Sequence, residues 1–324
     1  MADRRDLRGW WDGAPPPPWP DGARLAVSVV VNVEEGAERA IGDGDEVNEG
    51  VYEARHEVVG APDPCMESHF GYGPRAGYRR IVEALARHGV RATFSTCGRA
   101  AERLPWLMRD IVAQGHEVSA HGWRWESHAG MPEAAVRGIV ARTHRVLAET
   151  AGVAPVGWHT RSASTPETRR LLVEHGGYLY DSNAYDDDVP RIETVGGRAH
   201  VVLPYAFDTN DMRFQPGGAF VQGEDFARYC IAAFDRLWEE GAGEARMMSV
   251  GLHLRIIGRP ARIGGLEALL AHMAARGRVW FATRAEIARL WRRAAGLPVW
   301  EPEGVPEGVP EGVPGGLPLP VEER

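Results

Sequence analysis

The 324-residue sequence predicts an α/β fold, one parallel (β/α) barrel-like domain. Three observations lead there. About eight apolar, β-branched runs of strand length alternate with stretches of helical periodicity. Several of those runs end on polar or glycine residues, the side of such folds where sites form. The length suits one barrel-sized domain as readily as two smaller ones.

Residues 1–23 read as an irregular lead-in, because Pro15 to Pro18 forbid a helix. The barrel domain is expected over 24–295. Its first strand, Arg24 to Asn32, is a near-continuous apolar run that suits a position covered on both faces. It leads into Val33-Glu34-Glu35-Gly36. Residues 37–74 are rich in Gly, Glu and Pro and lack a period, so they are expected to cover a site or to move. Tyr78, Ile81, Val82 and Leu85 then mark a helix ending before Gly89, and Arg91 to Thr96 reads as the next strand. Leu104, Leu107, Met108, Ile111 and Val112 mark a helix that stops at Gly115.

The stretch Gln114 to Trp125 carries a short strand, Glu117 to Ala120, that delivers His121 to a turn at Gly122. A helix follows with Val136, Ile139, Val140, Thr143 and Leu147, then a strand at Val156 to Thr160. Thr165 is a helix N-cap candidate with Pro166 at the first helical position, and Gly176 is the stop. Further strands are expected at Tyr178 to Asp181, His200 to Tyr205, Met248 to Leu254 and Val279 to Phe281. Helical faces are expected at Phe226, Tyr229, Phe234 and Leu237, at Ile263 to Met273, and from Ala285 to Trp291. Residues 296–324 hold a Pro-Glu-Gly-Val array from Pro302 to Pro314 and are expected to be disordered.

Composition excludes several function classes. The formal charge of −8 gives no support to a nucleic-acid or anionic-membrane partner. Every basic side chain other than histidine is arginine, so Schiff-base and lysine-base mechanisms are excluded. The cysteines Cys65, Cys97 and Cys230 are odd in number and lack CxxC spacing, which fits a reducing, cytoplasmic setting. No signal peptide or membrane-spanning run is evident. A small-molecule substrate is the expected partner.

Polar groups stand at four strand ends: Glu34 and Glu35, His121, Asp181 and His253. In a barrel these ends converge. A carboxylate with two histidines could hold a divalent metal that activates water. It could equally divide general-base and general-acid work. Neighbouring residues on a strand point to opposite faces, so only one of Glu34 and Glu35 can face a given pocket unless the backbone turns there.

The chain also resembles a known family. The order Glu-Glu-Gly, His-Gly, a Gly-Trp-x-Thr-Arg segment and a late Leu-His is similar to the polysaccharide deacetylase superfamily, and most of all to its allantoinase-like branch of cofactor-independent allantoinases and cyclic imide hydrolases. The matching stretches are Tyr72 to Gly77, Gly115 to Trp125, Thr168 to Glu174, Leu179 to Ser182, Asp208 to Phe214 and Ser249 to Pro260. The resemblance implies a distorted (β/α)7 barrel and hydrolysis of a non-peptide C–N bond, here ring-opening of a cyclic amide. The ring would be a ureide such as allantoin, or a cyclic imide. Alternatives are a zinc-dependent N-deacetylase of an acetylated sugar or small amide, and a non-catalytic ligand-binding member of the fold.

The resemblance also assigns roles. In metal-dependent deacetylases the first motif has two aspartates, one a base and one a ligand; Glu34 and Glu35 stand there. The second motif supplies two ligand histidines; His121 is kept, but Trp125 replaces the second, and an indole cannot ligate zinc. No cofactor is therefore expected. If zinc is bound, Glu35 and His121 would hold it, helped by His128 or Glu126. His253 matches the histidine that protonates. Arg161 and Arg255 are candidates for binding carbonyl or carboxylate oxygens. Trp123, Trp125 and Trp158 are expected to wall the pocket beside Asp181. A glutamate base near apolar rings is expected to have a raised pKa, and both Glu35→Gln and His253→Ala are expected to abolish turnover. Two departures, His159 where allantoinases have tyrosine and the unusual segment His56 to Arg75, put allantoin itself in doubt as the substrate. Relatives in this branch form oligomers, which implies a homo-oligomer.

Overall fold

The strand Leu25–Val33, β1, is buried along its whole length, as its unbroken apolar run requires. It pairs in parallel with β2 (Thr93–Thr96), β8 (Arg246–His253) and β9 (Val279–Phe281). From β2 the sheet continues through β3 (Glu117–Ala120), β4 (Gly157–Trp158), β5 (Tyr180–Asp181) and β7 (Arg198–Val202), ending on β6 (Arg191–Val195). The computed structural model describes residues 7–9, 16–51, 56–161, 164–215 and 217–299. The Pro-Glu-Gly-Val array and much of the lead-in lie outside them.

The path between β7 and β8 is closed by loop backbone. Leu203 N–H donates to the Asp181 carbonyl at 2.9 Å, and Gly251 N–H to that of Thr209 at 3.0 Å. Residues 203–210 thereby bridge the gap, and the result is a distorted (β/α) barrel. Arg284, at the start of α9 (Arg284–Ala294), ties it from within. Its guanidinium donates to Ser182 and Ser249 Oγ and to the carbonyls of Leu203 and Pro204.

Helices cover the outside: α2 (Tyr78–Arg87), α3 (Gly98–Arg103), α4 (Pro105–Ala113), α5 (Glu133–Ala151), α6 (Pro166–His175), α7 (Gly223–Glu240) and α8 (Pro260–Arg276). In α6 the punctuation works as expected: Pro166 takes the first turn, and Gly176 ends the helix at φ 81°. In α7 the inward face runs through Phe226, Cys230 and Phe234, while Tyr229 is 39% exposed. The expected assignment of Tyr229 to the buried stripe is therefore corrected: the small, apolar Cys230 occupies the inward position one residue on.

Two regions differ from expectation. Strand β6 is polar and half-buried, and it pairs antiparallel with β7 at the sheet edge through Gly196 and Gly197. An edge strand without apolar alternation leaves no periodic signal. Residues 37–74 contain a helix, α1 (Pro64–Tyr72), capped where Asp63 accepts the Met66 N–H at 3.0 Å. Only Met66 and Phe70, four residues apart, are buried in it. α1 runs through a π turn, Gly73–Gly77, into α2. Pro74 has no N–H to give the helix. A side chain at Gly73 would strike Glu35, and one at Gly77 the Leu254 carbonyl. The two glycines thus let this helix lie directly against the ends of β1 and β8.

Candidate active site

Strand parity decides which polar residues meet. Asn32 and Glu34 share the inner face at the end of β1. Asn32 is the register partner of Ser95 on one side and His253 on the other, and Ser95 partners Ser119. Two residues beyond Ser119 on the same face is His121. Glu34 therefore points between the two histidines: its Oε1 lies 3.5 Å from His121 Nε2 and 3.6 Å from His253 Nε2. All three are nearly buried.

Each group is oriented by a further contact. Arg255, just past β8, donates to Glu34 Oε2 at 2.9 Å. His253 Nδ1 lies 2.6 Å from Asp211 Oδ1, and Asp211 Oδ2 accepts the N–H groups of His253 and Ile257. His121 Nδ1 lies 2.8 Å from the His159 carbonyl, so Nδ1 carries a proton and Nε2 faces Glu34. The His159 ring stacks on His121 with centroids 5.0 Å apart, and its Nε2 meets the Tyr185 hydroxyl at 3.1 Å.

The electrostatics follow from this packing. Burial opposes a charge on Glu34, but the His253 and Arg255 charges outweigh it and hold its carboxyl well below the usual range. Burial likewise opposes a proton on His253, but the Asp211 and Glu34 carboxylates push its pKa up to about 9. Burial, with His121 and Arg284 nearby, pushes His159 well down, so its ring is neutral. The site thus holds a carboxylate beside an imidazolium at neutral pH. The expected raised pKa for the glutamate base is corrected, because two cations face Glu34.

These groups open into a cavity of about 200 Å³. Phe70, Trp125, Tyr185, Tyr205 and Phe207 supply aromatic wall, and Asn32, Arg161, Asn210 and Gln215 supply polar points. Trp125 stacks on Phe70 at 5.5 Å, and Arg161 donates to the Trp125 carbonyl at 3.1 Å.

Several expected site residues are elsewhere. Glu35 has the opposite parity from Glu34 and does not line the cavity. Its Oε1 accepts the Arg255 N–H at 3.0 Å and faces the same guanidinium at 3.4 Å. Burial raises its pKa, opposed by Arg255. The expectation that Glu35 is the base or a metal ligand is corrected for that reason. Trp158 and Asp181, register partners on β4 and β5, face outward. Trp158 packs edge-on against Tyr178 at 5.5 Å, and Asp181 is paired with Arg169 at 2.7 Å and His200 at 3.0 Å. Trp123 lies under the Arg142 guanidinium at 3.4 Å, against Gly98 of α3, outside the cavity. Of the residues that sequence reasoning did not assign to the site, Asp211 lay within the quoted stretch Asp208 to Phe214. Phe70 and His69 lay in the segment marked as unusual. Asn210 lay in the same stretch as Asp211 and Tyr205 at the end of the expected strand His200 to Tyr205, but only loop closure brings the two into the cavity.

The family's zinc arrangement does not fit these residues. Trp125 offers no lone pair, and the second oxygen of Glu34 belongs to Arg255. His128, suggested as a substitute ligand, bonds Thr168 at 3.1 Å and packs near Trp158. Among the described residues no group of three His, Cys, Asp or Glu side chains is arranged to hold a metal ion. No helix among them is long and apolar enough to cross a membrane.

Comparison with known proteins places this geometry in context. A family model described as polysaccharide deacetylase matches residues 59–180. A Schizosaccharomyces pombe protein named for the polysaccharide deacetylases is 34% identical over 319 residues, covering 90% of this chain and 98% of the relative. The crystal structure of PuuE allantoinase superposes with a TM-score of 0.85 at 41% identity, covering 90% of this chain and 98% of that one. A Pseudomonas aeruginosa PAO1 structure named as a polysaccharide deacetylase does so with a TM-score of 0.84 at 43% identity and the same two coverages.

Proposed function

Because this chain belongs to the polysaccharide deacetylase family and has the fold of its hydrolases, we propose that it opens the ring of a small cyclic amide. The substrate is a ureide such as allantoin, or a cyclic imide. Water adds to a ring carbonyl, and a non-peptide C–N bond breaks. The observation that carries this reading is Glu34, held ionised by Arg255 and lying between His121 and the protonated His253.

The groups divide the work as follows. Glu34 takes a proton from water as the water oxygen bonds to the ring carbonyl carbon. His121, its ring fixed through Nδ1, stands beside Glu34 and orients the water. His253 gives its proton to the ring nitrogen as the C–N bond breaks. The proton on Glu34 then passes to His253, 3.6 Å away, and both groups return to their starting state. No step requires a metal. Trp125 and Phe70, stacked on each other, form one aromatic wall for a planar ring, and Arg161 offers a donor to a substituent oxygen. A cavity of about 200 Å³ suits one small ring better than a run of sugar residues.

Purified protein incubated with allantoin, hydantoin, succinimide-type imides and acetylated sugar oligomers tests the reading, with metal analysis of the same sample. Ring opening that survives chelation is expected. Deacetylation of sugars alone, or stoichiometric zinc lost together with activity, would overturn it.

A further inference from the structure

Tyr205 lines the cavity and is only 6% exposed. Its hydroxyl oxygen receives two amide N–H groups, from Asn32 Nδ2 at 3.2 Å and Asn210 Nδ2 at 3.3 Å. Neither amide can be turned round. Asn32 Nδ2 also donates to the Leu252 carbonyl at 3.0 Å, and Asn210 Oδ1 accepts the Met212 N–H at 2.9 Å. A phenol oxygen has two lone pairs and one proton. Both lone pairs are occupied, so the proton is what remains. Among the described residues it has no acceptor within hydrogen-bond reach. A buried donor with its acceptor capacity filled and its own proton unspent is costly unless something comes to meet it.

Two neighbours indicate what that is. Gly251, one pleat below His253 on β8, clears the space: a Cβ there would collide with the Tyr205 hydroxyl and the Asn210 amide. The hydroxyl therefore sits just beneath the level of His253 and its register partner Asn32. The buried Arg284 guanidinium lies 5.8 Å from the Tyr205 ring, and its hydrogen-bond partners are two serine hydroxyls and two carbonyls, all neutral. A positive charge with no carboxylate hydrogen-bonded to it favours negative charge developing nearby.

We infer that the Tyr205 hydroxyl is the donor that meets the substrate's carbonyl oxygen and stabilises the charge gathering on it as water adds. This rests on the proposed ring-opening reaction. The phenol donates a hydrogen bond only, and no proton leaves it. Asn32 and Asn210 are positioning residues that aim it.

The experiment compares wild type with Tyr205→Phe and Gly251→Ala, the second of which displaces the hydroxyl without removing it. On a ring that wild type opens, kcat is expected to fall about a hundredfold in both variants. Hydantoin binding, measured by calorimetry in a Glu34→Gln background where ring opening is slowed, is expected to weaken at least about tenfold when Tyr205→Phe is added. Turnover within threefold of wild type in a folded Tyr205→Phe protein would overturn the inference. So would equal hydantoin binding with and without the hydroxyl, or no binding in either background. If wild type opens none of the rings yet hydantoin binding depends on Tyr205, the reaction assignment falls and the donor assignment stands.

Discussion

Asp211 Oδ1 lies 2.6 Å from His253 Nδ1, while its other oxygen accepts the amides of His253 and Ile257. One fully buried carboxylate thus fixes both the position of the end of β8 and the protonation state of the imidazole on it. A neutral amide at 211 could preserve the shape but not the charge. Asp211→Asn is therefore expected to cut kcat by roughly 10² to 10⁴ if His253 acts as the acid. It should also move the alkaline limb of the pH–rate profile to lower pH. Steady-state kinetics over a pH series measure both, and an unmoved limb would remove Asp211 from this role.

The two adjacent glutamates should behave differently. Glu34→Gln is expected to lower kcat by roughly 10² to 10⁴, because it removes the base. Glu35→Gln keeps a neutral isostere where burial already favours the protonated acid. It is expected to cost about 1 to 3 kcal/mol of stability through the weakened hold on Arg255, with turnover retained in part. Denaturant melts and kinetics on the two variants separate them. Equal loss of turnover would restore the sequence-based expectation that Glu35 is essential.

His253 also sets a pH dependence. Its folded pKa, about 9, lies above the ordinary value of 6.5. The stability it contributes is therefore fully present below pH 6.5 and is lost as pH rises through about 9. Activity should fall over the same alkaline range as the acid loses its proton. Glu34, held well below the usual carboxylate range, should add no acid limb near pH 4.5. Thermal melts and rates at pH 6, 8 and 10 check this, and His253→Ala should abolish the alkaline change in stability.

Asp181, expected at the site, is instead a structural anchor. Burial opposes its ionisation, but His200 and Arg169 hold its pKa below the ordinary 3.8. Its stabilisation is present above pH 3.8 and is lost as pH falls toward its folded pKa. Asp181→Asn is expected to destabilise by about 3 kcal/mol at neutral pH, with kcat and KM unchanged in the folded protein. A selective change in KM would return Asp181 to the pocket.

The barrel was legible because apolar runs such as Leu25–Val33 and Arg246–His253 alternate with stretches of helical period, a signal each segment carries by itself. Glu34, His121 and His253 were legible as polar residues at strand ends, Arg255 as a candidate oxygen binder, and Trp125 as the departure that argued against zinc. What the residues could not say alone was direction. Trp158 and Asp181 stand at strand ends too, yet parity turns them onto the helix side. Trp123, two residues from Trp125, packs under Arg142 instead.

The sequence by itself determined the alternation of elements, the family, and a reservoir of acid, base and arginine groups. Tertiary structure decided which members of that reservoir face one another. It chose Glu34 over Glu35, supplied Asp211 to charge His253, and brought Tyr205 and Asn210 in from a segment that only closure of the barrel places there. The reason is physical: pleat and register fix the side on which each group emerges, and a buried group's charge depends on the partners it meets across the barrel, not on its neighbours along the chain.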